Sequence, residues 1–323
     1  MEHKDLLSHC NFMSLNGYAL NIEEKAALQC SLLILQQNNH FHTVHYWGKI
    51  QGIQNDYHIA EGFRGSMIGD RVKFYSIDGG ITWNQMTSEL TPYEVSCIES
   101  IGTLFLGIPT HTYVFEKPIE PKGEQMEEEV KTEPKDEKKE DEEDGNKDED
   151  DAEPKEETKE ETKEEEEKKP EKAEVFTITE EKRLTWVVSS IDDAGSVVPR
   201  GAYVIKKDDE KLVVRNCTFT GFDQYQATKL YNFVHLRTPT NKTLENIVAQ
   251  KFVDTTLDFA DPVDDDIPYG CWSVQYEDLL NVAVGRSLLW PGYVFYHQLQ
   301  TSVFGSYYVG NGMKNVDLCF MLP

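Results

Sequence analysis

VHYWGKIQGIQNDYHIAEG, residues Val44–Gly62, holds two runs rich in β-branched and aromatic residues, Val44–Ile50 and Tyr57–Ala60. The turn formers Gly52, Asn55 and Asp56 lie between them. In the first run Val44, Tyr46, Gly48 and Ile50 alternate with His45, Trp47 and Lys49, the period expected of a strand with one covered face. Two such runs joined by a short Gly- and Asn-containing connection predict a β-hairpin, or at least neighbouring antiparallel strands.

On the N-terminal side of this pair, Lys4–Leu15 reads as a helix stopped at Asn16-Gly17. Asn21, with Glu24 three residues on, forms a capping-box signature ahead of the apolar stripe Leu28, Leu32 and Leu35. Beyond the hairpin, Val72–Ile77 reads as a strand, Ile81–Trp83 resumes an extended run, and Thr91-Pro92-Tyr93-Glu94 starts a helix that Gly102 ends. Leu104–Leu106 and His111–Phe115 read as further strands.

Thr179 is positioned to start a helix with the stripe Leu184, Val187, Val188 and Ile191, closed by Gly195. Val197–Ile205 and Leu212–Val214 read as strands around the turn Lys206–Lys211. Asp223 begins a helix expected to run through Phe233, and Thr240–Val248 a further short one. Asp264–Pro268 is a turn, and Trp272–Tyr276, Val282–Leu289, Tyr293–Tyr296 and Val303–Val309 complete the strands. Strands in clusters, without a βαβ rhythm, predict an α+β fold with a largely antiparallel sheet and flanking helices.

Charge is unevenly distributed along the 323 residues, whose net value is −26. The tract 122–172 holds 26 of the 58 acidic residues and 12 of the 32 basic ones. Residues 118–174 lack apolar periodicity and contain scattered prolines, so they are expected to form a disordered acidic insert. The expected organisation is therefore an N-terminal half of one globular domain (1–117), the insert (118–174) and a C-terminal half (175–323). Because the two halves are acidic in their own right, neither nucleic acid nor an anionic membrane surface is an expected partner. Met1–His9 lacks the apolar core of a signal peptide, and Leu32–Leu35 is too short to span a bilayer. The expectation is an intracellular soluble protein whose six separated cysteines are reduced and buried.

Recognisable catalytic spacings are absent: no G-x-S-x-G, no G-x-x-x-x-G-K-[ST] and no H-E-x-x-H occurs. The histidines His40, His42, His45 and His58 cluster in sequence, but no carboxylate or thiol stands at a fixed ligand spacing, so surface or interface histidines are expected rather than a metal site. Gly310-Asn311-Gly312 reads as a turn between strands, and Asp264–Asp266 lacks an EF-hand spacing. No cofactor is expected. What stands out is the aromatic load beside Gly and Pro: Tyr46-Trp47-Gly48, Gly270-Cys271-Trp272 and Trp290-Pro291-Gly292-Tyr293. Aromatics of this kind serve cores and the anchors of obligate interfaces alike. Trp47, Lys49, Tyr57, Trp272, Trp290 and Tyr293 are the candidate interface or core residues.

These blocks carry a resemblance. Tyr46–Gly52 followed by Asp56–Gly62 is similar to the signature of the radial spoke head proteins. Val198–Ala202, Asp265–Pro268, Gly270–Ser273, Arg286–Gly292 with Phe295–His297, and Tyr308–Gly312 through Leu318 agree with that family in the same order. Gln51 and His58 depart from its usual apolar residue and tyrosine, and the acidic insert replaces a much shorter connection. The resemblance implies a non-enzymatic structural subunit of the spoke head in the axoneme of cilia or flagella. It further implies partners of the larger protein 4/6 type within a symmetric multi-subunit complex, and indirect contact with the central-pair apparatus. A competing reading is an acidic binding protein that uses 122–172 to engage basic partners.

Overall fold

In the computed structural model, residues 1–69, 71–87, 89–116, 175–206, 209–240 and 257–322 are described. The first helices are α1 (Leu6–Ser14), preceded by a 3-10 turn at His3–Asp5, and α2 (Ile22–Asn38). Asn21 accepts from the Glu24 amide while the Glu24 carboxylate accepts from the Asn21 amide, which is the capping box read from sequence. Strands β1 (Thr43–Ile50), β2 (Tyr57–Phe63), β3 (Arg71–Ser76) and β4 (Asn84–Gln85) follow, each antiparallel to the last. After α3 (Pro92–Glu99) come β5 (Thr112–Glu116) and β6 (Val175–Thr179), which pair with each other, and α4 (Glu180–Ala194).

The rest comprises β7 (Val197–Pro199), β8 (Tyr203–Lys206), β9 (Asp209–Arg215), the short α5 (Gln224–Ala227) and β10 (Phe233–His235). A four-strand meander follows, β11 (Trp272–Glu277), β12 (Val282–Ser287), β13 (Tyr293–Gln298) and β14 (Phe304–Gly310), with α6 (Leu318–Met321) after it.

Eight strands form one sheet in the order β11-β12-β13-β14-β1-β2-β3-β4. Every pairing is antiparallel except the seam, where β1 runs parallel to β14 with Gly48, Lys49 and Ile50 opposite Tyr308, Val309 and Gly310. The seam joins an N-terminal meander to a C-terminal one, so both ends of the sequence share a single hydrogen-bonded layer. One face of the sheet is covered by α1 and α2: Leu6, Met13, Leu28, Leu32 and Leu35 pack with Val44, Tyr46, Phe74, Val294 and Tyr307. The other face is covered by α4 and the β7–β10 pair, through Leu184, Val188, Ile191, Val197 and Phe233. Among the described residues no helix is long and apolar enough to cross a membrane.

Several expectations change. Strict alternation in β1 fails because Tyr46 faces Ala60 while Gly48 faces Ile59, leaving Trp47 as the extra residue of a β-bulge. Val44 and Tyr46 therefore enter the helix-α2 side, whereas Trp47 and Ile50 enter the helix-α4 side. Residues 81–83 form a bend in place of an extended run, because the Asp78 carboxylate accepts from the amides of Ile81 and Thr82 and from the Thr82 hydroxyl. In the run 104–106 only Phe105 pairs, in an isolated bridge with Gly52. The run 197–205 breaks into two strands at Gly201, whose φ of +83° suits glycine.

The helix from Asp223 stops after four residues, since a 3-10 turn at Leu230–Asn232 sends Phe233–His235 into pairing with β7. Gly310–Gly312 leads to α6, not to another strand. Of the six free cysteines, Cys10 and Cys271 are buried, but Cys30, Cys217 and Cys319 are exposed. The expected insert at 118–174 and all but the first residue of the expected helix Thr240–Val248 lie outside the described residues.

Candidate functional site

Five of the six candidate residues belong to one buried cluster on the helix-α4 face: Trp47, Tyr57, Trp272, Trp290 and Tyr293. The sixth, Lys49, lies on the opposite face, because it pairs with His58 on the far side of the bulge. Its ammonium is within 3.1 Å of Glu24 on α2 and 2.8 Å of Asp56 in the β1–β2 connection. Burial opposes its charge, but the hydrogen bonds to Asp56 and Glu24 outweigh that and raise its pKa. His58 completes this group, 3.0 Å from the Tyr46 hydroxyl and 3.5 Å from Glu24. His45 sits across from Glu61, on the other face from His58, and among the described residues no group of His, Cys, Asp or Glu is arranged to hold a metal ion.

The clustered aromatics each carry a polar atom into an apolar layer, and burial requires that atom to be satisfied. Trp47 Nε1 donates to Asp192 Oδ1 at 2.5 Å, across 145 positions of sequence. Tyr57 donates to Glu180 Oε1 at 2.6 Å. The Tyr293 hydroxyl accepts from the Val197 amide at 3.0 Å. Trp272 Nε1 donates to Asp266 at 2.7 Å, and Asp266 in turn faces His235 Nε2 at 3.0 Å. The Trp47 ring leans on Tyr308 of the seam at 5.3 Å, and Trp272 contacts Tyr293 and Phe295. Trp290 is the exception: its Nε1 is buried without a hydrogen-bond partner among the described residues, and the residue is held at its backbone, where its amide donates to Ser287 Oγ.

Glu180 and Asp192 are the acceptors that make this possible, and both project from the apolar side of α4. Glu180 is fully buried. It receives Tyr57, Tyr113 and the amides of Leu106, Gly107 and Ile108 at 2.6–3.1 Å. Burial alone would raise its pKa, but these donors, Tyr57 foremost, hold it below the usual range. Arg183 beside it bonds the Tyr113 hydroxyl and the Thr103 carbonyl, and its guanidinium stacks 4.2 Å from the Phe105 ring. Asp192 receives Trp47 and pairs with Lys73 of β3. Near it lies Glu61 of β2, whose carboxyl burial pushes up to about 7, helped by the charge of Asp192.

Sequence reasoning did not single out Glu180, Arg183, Asp192, Glu61 or Lys73. A signal existed for two of them. Glu180 stands four residues before Leu184, and Asp192 four after Val188, so both fall on the helix stripe assigned to the core. An acid on an apolar stripe needs a donor, and the nearby strands supply Trp, Tyr and Lys.

The arrangement suits rigidity. The Glu180 carboxylate is saturated by hydrogen bonds, and the aromatic motif of the first half is tied to elements of the second. The blocks Tyr46–Gly52 and Tyr308–Gly312, far apart in sequence, are neighbouring strands.

A family description named Radial spokehead-like protein matches residues 1–188. Radial spoke head protein 9 homologs are similar over the full length of both chains: that of Danio rerio at 34% identity, that of Bos taurus at 32% and that of Homo sapiens at 30%. With the family match covering more than half of the sequence and these relatives spanning all of it, the chain belongs to the radial spoke head protein family.

Proposed function

We propose that this protein is a non-enzymatic structural subunit that packs against other spoke-head subunits, among them the protein 4/6 type, and so supports spoke assembly and ciliary or flagellar motility. Radial spoke head proteins are components of the axoneme, and family membership places this chain in that setting. The observation that carries the reading is the use made of the family blocks. Trp47, Tyr57, Trp272 and Tyr293 are spent on closing one stiff sheet, each through a hydrogen bond or ring contact within the chain. A relay of mechanical contact needs a subunit that keeps its shape under load, and buried hydrogen bonds between distant elements serve that end.

The reading is tested by mixing the purified chain with a spoke-head protein of the 4/6 type and measuring the size of the species formed. A stable complex is expected. Separate elution of the two at micromolar concentration would overturn the partner assignment.

A further inference from the structure

Strand β11 is one edge of the eight-stranded sheet, and among the described residues no strand lies on its open side. The Leu288 amide donates to the Cys271 carbonyl, so Cys271 turns its backbone toward β12. By the alternation of an antiparallel pair, Ser273, Gln275 and Glu277 also turn inward, and the amides and carbonyls of Trp272, Val274 and Tyr276 turn outward. That is a template for one more strand.

The start of this edge is flanked by an exposed apolar patch of Ile267, Tyr269, Leu288, Val316, Phe320 and Met321. Phe320 is 89% exposed, Ile267 80% and Tyr269 75%, far more than large apolar side chains in a closed core. The members are held together locally. The Leu322 side chain lies over Gly270, the residue after Tyr269, and the Asn315 side chain bridges the Leu288 carbonyl and the Met321 sulfur. Several large exposed apolar side chains at one end of a folded domain's sheet edge mark an interaction surface.

Charge narrows the occupant. Between residues 261 and 322 there are seven acidic residues and two basic ones; Asp264, Asp265, Glu277, Asp278 and Asp317 are exposed against one exposed base, Lys314, while Arg237 lines a cavity beside Ile267 and Trp272. A second copy would bring like charge against like charge. We infer that the edge of β11 together with this patch receives an extended segment of a different spoke-head polypeptide, adding as a strand and presenting apolar side chains flanked by Lys or Arg.

This rests on the reading that the chain docks with another spoke-head subunit, and the experiment separates the two. The full chain, Phe320→Glu and Ile267→Glu, and Val274→Pro are each titrated with the 4/6-type protein, with thermal unfolding as a control for folding. The glutamate variants change highly exposed side chains, and the proline removes an outward amide without touching the β12 ladder. At least tenfold weaker binding by the glutamate variants is expected, with binding by the unaltered chain falling as salt rises. If the unaltered chain forms the complex and the glutamate variants bind equally well, the surface assignment is overturned and the partner reading stands. Absence of any complex overturns both. Self-association of the chain that Phe320→Glu abolishes would overturn it in favour of a second copy.

Discussion

Glu61 and Asp192 bring two carboxyl groups together inside the fold, where both cannot comfortably ionise. Facing them are Lys73 and Arg71 of β3, His45 of β1 and the Met1 amine. Asp192 takes the charge, because Lys73 pairs with it and Trp47 donates to it. Glu61, raised from 4.5 to about 7, keeps its proton. Between those values the folded chain holds a proton that the unfolded chain has released, so this group's contribution to stability falls as pH rises. The Met1 amine, lowered to about 6 by burial, works in the opposite sense, so the readout is a difference between two proteins. Glu61→Gln, which can still donate to Asp192, is expected to gain in unfolding midpoint relative to the unaltered chain on going from about pH 5 to about pH 8. A difference that does not vary with pH would refute the assignment. Trp47→Phe keeps the ring contact with Tyr308 but strips a donor from Asp192, and should cost about 1–3 kcal/mol in chemical denaturation. The aromatic half of these ties was legible in sequence as composition beside Gly and Pro. Of the carboxylate half, the sequence shows only that Glu180 and Asp192 fall on the core stripe of α4, since no local pattern says which strand carries their donors.

At the level of elements, legibility followed local chemistry. Capping boxes at Asn21 and Thr91 placed α2 and α3 because the cap is closed within four residues. The segment after Asp223 also has the box, yet the helix ends at Ala227, since Phe233–His235 is drawn into pairing with β7 and its phenylalanine into the core. The β1 bulge was invisible for a related reason. It exists to let β1 approach β14: Gly48 has φ +147°, and a Cβ there would stand 2.0 Å from the Tyr308 carbonyl oxygen. Gly48→Ala must therefore either push the seam apart or flip the backbone. We expect a loss on the order of 3 kcal/mol, read as a lowered denaturation midpoint. Midpoints that agree within error would mean that the seam tolerates separation. For comparison, Leu184→Ala on α4, a fully buried position, should cost about 2–5 kcal/mol through the cavity it leaves.

Over the whole molecule, the parallel seam is what makes one body from two stretches of chain. The N-terminal meander supplies β1 to β4, the C-terminal one β11 to β14, and α4 is tied to β1, β2 and β3 through Asp192 and Glu180. No single window of sequence contains that pairing, which is why the antiparallel character was readable and the seam was not. The acidic tract departs after β5 and the chain returns at β6, and these two strands pair with each other, so a few residues suffice to connect them. Loop-closure entropy then sets the consequence of shortening. Each halving of length returns about 0.6 kcal/mol, and replacing 118–174 by a linker of about eight Gly and Ser residues is close to three halvings, or about 2 kcal/mol. The trimmed chain is therefore expected to unfold at the same denaturant concentration as the full chain or slightly above it, and to bind the 4/6-type protein unchanged. A lower midpoint would mean that the tract contributes to the folded state. Loss of binding with the midpoint intact would shift the function toward the acidic segment, as in a protein that engages basic partners through it.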